Sequence, residues 1–579
     1  MTHQTQPVAF SGLAAFLTMP THHELRDTCV LFASAFGYED LCSRKMQRIV
    51  AEQLASRGLA SMRFDYMGTG DALDVDDQST GPNWVDDLQR AANQLKASTG
   101  AKRLILVAQG IGSLIAAQAM KQGLQIDGIA YLAPLTSGKS YLRELSMWST
   151  LIDDGLGLRK ADRITQPGSI GGLVMPEAVV HWLAGANLLE LTPQPSAPSF
   201  VAFRADRAAE KRFADGLAQS GTDVSAIAFE GYDALMLSPT QSIVPQTICD
   251  DLVKWIDAQA GADLVQKSTE HIGISGAHEA AEFTESLISF GPNQHLIGVE
   301  TRPNAGACTA AVVLNGSGYD RRSGWGRQVT WLARELAKQG IASLRYDAAN
   351  VADSAPSESA PAAVLYHTSQ LDDARAAVDY LTGQHTVPVM MSGRCSGAYL
   401  ALKAAEQDPR ISAVLAANPV VFYWQEGRSL DEALDMRPRT LGEYGGRVFS
   451  LAIFGRLLRG EVNISAALRN LTKSFMSRYH ARSARLRKSS SEDGKSVFKM
   501  FDQLKQRNIP TQLLFSENDA GIDNLKQYFE TVAHARRRYT NLAIDIVYNA
   551  DHNLSSEASR GVYLEHLLHM VRSAQKAKR

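Results

Sequence analysis

A cysteine set between two glycines is the residue best placed to do chemistry in this sequence. In "VPVMMSGRCSGAYLALKAAE" (Val387 to Glu406) an apolar strand pattern runs into "GRCSG" and then into a helical pattern, with Cys395 at the turn. Gly393 and Gly397 flank it because the turn is tight and the helix must pass close to the strand. Such an elbow lifts the side chain clear of a sheet. It also sets the sulfur near a helix N-terminus, whose partial positive charge favours thiolate. A thiolate there can attack a carbonyl, and the Ser396 amide is placed as one oxyanion donor. The second donor is expected from "NGSGY" (Asn315 to Tyr319), with the Ser317 amide first and Gly316 the close alternative. An acid and a base should follow in that order. "PTQLLFSENDAGID" brings Asp519 to a strand end, and "AIDIVYNADHNLSS" does the same for His552. His552 can take the thiol proton and return it to the leaving group, while Asp519 fixes its tautomer. Asp523 and Glu517 are weaker choices, because Asp519 lies nearest the strand end.

Residues so far apart need a sheet to bring them together. Short apolar strands alternate with helices of 3.6-residue periodicity, as in Met46 to Ser56, where Ile49, Val50 and Leu54 share a stripe. That alternation predicts βαβ units and a mostly parallel sheet flanked by helices, an α/β class. Ligands in such sheets gather at the carboxyl ends of the strands.

The pattern occurs twice, at a spacing of about 280 residues, far above that of a solenoid. "GLASMRFDYMGTGDA" (Gly58 to Ala72) matches "GIASLRYDAANVADS" (Gly340 to Ser354), and "IDGIAYLAP" (Ile126 to Pro134) matches "ISAVLAANP" (Ile411 to Pro419). We read a tandem duplication: a first domain at 1–260, a polar, alanine-rich linker at 261–283 and a second domain at 284–579. The first copy has lost the machinery. "KRLILVAQGIGSLIAAQAMK" carries Gly110 where the second copy has Cys395. "FEGYDALMLSP" aligns with "YNADHNLSS" so that Asp233 meets Asp551 and Ala234 meets His552. Asp206 is the one candidate relic of the acid. The expectation is a partner domain without covalent chemistry.

About 90 residues, 420–509, separate the strand ending at Pro419 from the one before Asp519, and they predict a helical cap over the cleft. This stretch holds 17 Lys or Arg against 9 Asp or Glu. With Arg321, Arg322 and Arg327 near the oxyanion loop, it leads us to expect a negatively charged substrate. Arg321 and Arg327 are the candidate anion contacts, and Tyr423 and Trp424 the candidate walls of an acyl or sugar pocket.

Composition narrows the field. At 579 residues the chain exceeds one ordinary core, and 45% hydrophobic with 21% charged residues describes a globular protein. A formal charge of −2 gives no pull toward nucleic acid. No apolar run is long enough to span a membrane, and the N-terminus is not a secretion signal. The five cysteines, Cys29, Cys42, Cys249, Cys308 and Cys395, are widely spaced with no CxxC pair. That argues for a reducing, cytoplasmic setting and against a disulfide framework or a zinc site. We expect no metal or cofactor.

Residues 285–575 resemble an α/β-hydrolase, and 5–260 resemble a degenerate second copy. The "GRCSG" elbow is similar to that of dienelactone hydrolases and polyhydroxyalkanoate synthases, which also use cysteine. "GSGYDRRSGWGRQVTWLARELAKQGIASLRYD" (Gly316 to Asp347) and "ADHNLSS" are closer to the serine aminopeptidase-like and exosortase-associated hydrolases of exopolysaccharide gene clusters. The family's "D-x-x-G-x-G-x-S" loop survives as "DYMGTGD" in the first copy and is altered to "DAANVADS" in the second. The resemblance implies ester or thioester hydrolysis through an acyl-cysteine, on a small-molecule or carrier-linked acyl substrate. The alternatives are an acyltransferase in surface-polysaccharide or lipid assembly, and a non-catalytic binding or scaffold protein.

Overall fold

The computed structural model describes residues 3–75, 84–193, 196–265, 276–357, 361, 363–425, 492–529 and 531–577. Most of the expected cap, residues 426–491, lies outside them. Two large sheets organise the chain. The central strands, such as Thr28–Ala33 (TCVLFA) and Ala310–Asn315 (AAVVLN), are buried along their whole length. Continuous apolar runs of this kind are what a parallel strand covered on both faces requires.

The first sheet has eight strands in the spatial order His3–Phe10, Leu13–Pro20, Ala60–Asp65, Thr28–Ala33, Arg103–Gln109, Gly128–Leu132, Ser199–Phe203 and Val224–Ala228. The first two form an antiparallel hairpin in which Phe10 pairs with Leu13 across Ser11 and Gly12, both at positive φ. That is the two-residue turn that matches strand twist. From Thr28 onward the pairings between neighbouring core strands are parallel. The second sheet repeats this order with Phe283–Phe290, Leu296–Pro303, Ile341–Tyr346, Ala310–Asn315, Val389–Arg394, Ile411–Ala417, Thr511–Ser516 and Leu542–Val547. It adds one edge strand, Ala277–Glu279. The chain is therefore built of two α/β domains of one topology.

Residues 261–265 pack back on the first domain, where the amides of Asp27 and Val265 donate to the carbonyls of Asp263 and Leu25. With the edge strand at 277–279, this narrows the stretch that connects the two domains.

The two N-terminal hairpins pack against each other. Ala9, Ala14 and Phe16 of the first meet Leu287, Ile297 and Val299 of the second. Around this apolar seam lies a buried set of opposite charges. Asp353 receives Arg44 at 3.1 Å, Arg63 at 2.6 Å and Arg322 at 3.1 Å. Arg321 holds Asp65 at 2.6 Å and Asp71 at 3.2 Å. The Arg322 guanidinium lies 4.6 Å from the centre of the Phe16 ring. Isolated, each of these ions would cost several kcal/mol to bury, so alternating sign is what makes the arrangement tolerable.

The seam is reciprocal. Arg48 of the first domain donates to Ala352 O and Asn350 Oδ1 of the second. Arg327 of the second donates to the carbonyls of Gly68, Gly70 and Ala72 of the first. Each domain thus grips the loop that follows the strand Ala60–Asp65 or Ile341–Tyr346 in the other.

Candidate active site

Cys395 sits at φ 55°, ψ −118°, just before the helix Ser396–Gln407. A non-glycine residue held there stores about 1–3 kcal/mol of strain, which only a tightly determined surround can maintain. The surround is glycine backbone. A Cβ on Gly393 would collide with Gly397, and one on Gly397 with the carbonyls of Gly316 and Asn315. The Cys395 amide donates to Ala417 O at 2.9 Å, tying the elbow to the neighbouring strand.

Ser396 opens the helix, where an amide has no intrahelical acceptor. In the loop opposite, the Gly318 amide is spent on Ser396 Oγ at 2.7 Å and the Tyr319 amide on Thr240 Oγ1 at 3.2 Å. The Asp320 amide is spent on Ser317 O. Gly316 and Ser317 remain as that loop's candidate donors beside Ser396.

Asp519 and His552 meet at their strand ends. The distance from His552 Nδ1 to Asp519 Oδ2 is 2.6 Å. Asp519 caps the helix Ala520–Tyr528, and its second oxygen accepts from the Gly521 amide at 2.8 Å. The carboxylate is thereby fixed by backbone on one side and aims at the imidazole on the other. Burial works against a charged His552. Even so, the charge of Cys395 and the hydrogen bond to Asp519 carry its pKa up to about 9. Asp519 and His552 thus form a hydrogen-bonded pair at the strand ends, within electrostatic reach of Cys395.

Three side chains that sequence reading missed hold these loops. Asn418, at φ 48°, donates to His552 O at 2.8 Å and Ser516 Oγ at 2.9 Å, and its oxygen accepts from the Ser516 amide. Arg394 reaches Asn553 Oδ1 and, at 3.3 Å, Asp320 Oδ2, so it links the histidine loop to the oxyanion loop. Asp551 accepts from the amides of Asn553 and Ser555 and shapes the turn carrying the histidine. Arg394 and Asp551 are sequence neighbours of Cys395 and His552, which is the only signal that could have flagged them.

Cys395 lies in an apolar cluster. Cys395 is 1% exposed and clusters with Leu365, Tyr366, Val420, Val421 and Trp424. Trp424 stacks on Tyr366 with centroids 5.0 Å apart, and Tyr399 meets Tyr366 edge-on at 5.3 Å. Trp424 thus shares a cluster with Cys395. Tyr423 does not: it packs against the core that contains Phe422 and Phe501. Arg321 and Arg327 are not at this cluster either. Their guanidiniums are committed to Asp65 and Asp71, and to Asp74 and the carbonyls of 68–72. The anion contacts read from these two arginines are corrected to interface contacts. The basic run Arg478 to Lys488 lies outside the described residues.

In the first domain Gly110 has the backbone of Cys395: φ is 52°, and its amide donates to Leu132 O at 3.1 Å. A Cβ there would run into the carboxyl of Glu39. Glu39 fills the place of the nucleophile, takes hydrogen bonds from Gln109 and Tyr232, and is pushed by burial up to about 7. Ala234 lies in the short helix Tyr232–Leu235, and Asp206 is exposed beside Arg207 at 3.8 Å. Glu39 carried no sequence signal, since it aligns with Asp320 in a loop whose charge alone says nothing about direction.

Among the described residues no helix is long and apolar enough to cross a membrane, and no three His, Cys, Asp or Glu side chains are grouped as metal ligands. Residues 13–166 match the family of serine aminopeptidases, S33. That match falls on the domain with Gly110. No curated protein matches the chain. Among solved structures, an esterase of Pyrococcus furiosus is 13% identical over 50% of this chain and 90% of its own, with a TM-score of 0.31. A hypothetical protein from Pseudomonas aeruginosa is 16% identical over 53% and 98%, also at 0.31. A ferulic acid-bound esterase, Est1E from Butyrivibrio proteoclasticus, is 13% identical over 52% and 98%, at 0.29. The strand order and the matched family describe an α/β-hydrolase fold, present twice.

Proposed function

We propose that the chain is a duplicated α/β-hydrolase with one working site, in the second domain, and that it transfers acyl groups through Cys395. The observation that carries this is the hydrogen-bonded His552–Asp519 pair together with Cys395 at a strained elbow. His552 takes the proton of Cys395, and the sulfur attacks an ester or thioester carbonyl carbon. The oxyanion is met by the Ser396 amide and one from Gly316 or Ser317. The tetrahedral adduct collapses, the carbon–leaving-group bond breaks, and the imidazolium returns its proton to the departing alkoxide or thiolate. Water, deprotonated by His552, then releases the acid and restores the thiol. Asp519 keeps the Nδ1–H tautomer throughout. The apolar cluster of Trp424, Tyr366 and Leu365 beside Cys395 suits the apolar part of an acyl group. With Arg321 and Arg327 occupied at the interface, nothing in the described residues of that cluster favours an anionic substrate.

The test is intact mass after exposure to p-nitrophenyl acyl esters. A single acyl adduct that maps to Cys395, and is absent from Cys395→Ala, supports the reading. An adduct elsewhere, or none in any chain length from acetyl to decanoyl, defeats it. One observation favours a second reading. Cys395 is almost wholly enclosed among apolar side chains, which disfavours water relative to a bound acceptor hydroxyl. A polyol acceptor that yields acyl-acceptor faster than free acid would make the protein an acyltransferase.

A further inference from the structure

The first domain has no nucleophile and no base, yet one of its side chains touches the oxyanion loop of the second. Thr240 lies between the strand Val224–Ala228 and the helix Gln246–Gln259, both parts of the first domain. Its Oγ1 accepts the Tyr319 amide at 3.2 Å. It also stands 2.5 Å from where a Cβ on Gly318 would be, so Gly318, at φ 59°, accommodates it. The Gly318 amide in turn donates to Ser396 Oγ, beside the nucleophile.

The loop bearing Thr240 is firmly held on its own domain. Tyr38 donates its hydroxyl to Leu237 O at 2.7 Å, and Ser242 donates to Cys42 O at 3.0 Å. The Ile243 amide donates to Ala234 O. This is the loop that follows Ala234, the position matched to His552. Where the second domain carries its base, the first carries a prop. The neighbourhood agrees: Asp153 of the first domain lies within electrostatic reach of Asp551, next to His552.

We propose that Thr240 is a positioning residue for the oxyanion hole: by binding the Tyr319 amide and packing on Gly318, it sets the amides of Gly316 and Ser317. This inference rests on the acyl-transfer reading above. The role is geometric. A backbone donor stabilises an oxyanion only when it points at the place where the charge will develop. The Asn315–Tyr319 turn is constrained on one side by Ser396 and on the other by Thr240, so loss of either hold lets it drift.

The experiment compares full-length Thr240→Val and Thr240→Ser with the unmodified chain, using p-nitrophenyl acetate and, separately, iodoacetamide. Removing an oxyanion donor outright costs about 10²–10³ in kcat, and a displaced donor costs less. For Thr240→Val we expect about a tenfold fall in kcat, with KM changed less than about twofold. Thr240→Ser, which keeps the hydroxyl, should recover most of it. Alkylation of Cys395 by iodoacetamide should be unchanged in both, because displacement at a saturated carbon builds no oxyanion. Thr240→Val acylating at the unmodified rate overturns the inference and leaves the acyl-transfer reading intact. Equal losses in Val and Ser variants, with alkylation slowed as well, indicate general damage and also overturn it. If the unmodified chain alkylates at Cys395 but takes no acyl group from the ester, the acyl-transfer reading falls, and the inference with it.

Discussion

Replacing Asp353 with alanine should weaken the whole molecule, by an amount that follows from who else its partners have. Asp353 is fully buried and pairs with Arg44, Arg63, Arg321 and Arg322. Three of the four keep another carboxylate: Arg44 retains Asp65, Arg321 retains Asp65 and Asp71, and Arg322 retains Asp71 and Asp347. Arg63 pairs with Asp353 alone among the described carboxylates, and burial already pulls its pKa down to about 10. The variant thus strands one buried guanidinium, a defect worth about 3–5 kcal/mol. Unfolding entropy runs near 2.1 cal/mol/K per residue, so for a chain of this length unfolding as one unit the midpoint should fall by about 2.5–4 °C. If the two domains unfolded independently, the affected half would fall by about twice that while the other stayed put. Differential scanning calorimetry distinguishes the two cases. The double variant Arg63→Met with Asp353→Ala should recover a large part of the loss, because the stranded charge is gone. A single substitution costing under about 1 kcal/mol, or a double variant no better than the single, would refute this account of the seam.

Cys395 should be the fastest-alkylating thiol of the folded chain. Burial pushes Cys29 and Cys249 up to about 12 and Cys42 higher still, and time-resolved iodoacetamide mapping that put any of these, or Cys308, ahead of Cys395 would contradict the mechanism. His552 should stay protonated in the folded protein well above the ordinary 6.5, up to about 9. The stability this lends is then complete below 6.5 and is lost as pH rises through 9. In Cys395→Ala the midpoint, followed by the imidazole carbon protons in NMR, should fall, and an unchanged midpoint would uncouple the pair. Gly110→Ser in a Cys395→Ala background should give no turnover, because Glu39 occupies the space and Ala234 supplies no base. Measurable ester hydrolysis by that variant would overturn the assignment of one working site.

What could be read from the sequence was what short-range sterics dictate. Gly393 and Gly397 announce the elbow because no other residue fits at those offsets. Asp519 and His552 stand out because strand ends in such sheets carry the chemistry, and the doubled strand order was visible in paired segments such as "GLASMRFD" and "GIASLRYD". Arg321 and Arg327 were misread for a physical reason. A cation near a cleft in sequence advertises charge but not its partner, and their partners Asp65, Asp71 and Asp74 lie in the other domain. Tyr366 and Leu365 were missed because "AVLYHT" has no periodicity that separates a neighbour of Cys395 from any other core contact. Thr240 was missed because its role exists only once the two domains are docked.

On the acyl-transfer reading proposed above, the arrangement gives the first domain a part in the site of the second. In the second domain, the loop after the first core strand presents amides to the elbow, and the loop after the last strand presents His552. In the first domain the two corresponding loops make different contacts. The loop carrying Glu39 closes its own elbow, and the loop after Ala234 sends Thr240 to the neighbouring oxyanion turn. The stretch Asp65–Asp71, the counterpart of Asp347–Asp353, neutralises Arg321 and Arg322. Such contacts are strong because they are buried and ionic, and specific because each guanidinium has a set carboxylate to find. The first domain is then part of the surround that holds the strained Cys395 turn and its oxyanion loop in register. On that reading, what it contributes is rigidity at a site where a displacement of about 1 Å costs on the order of 10²-fold in rate.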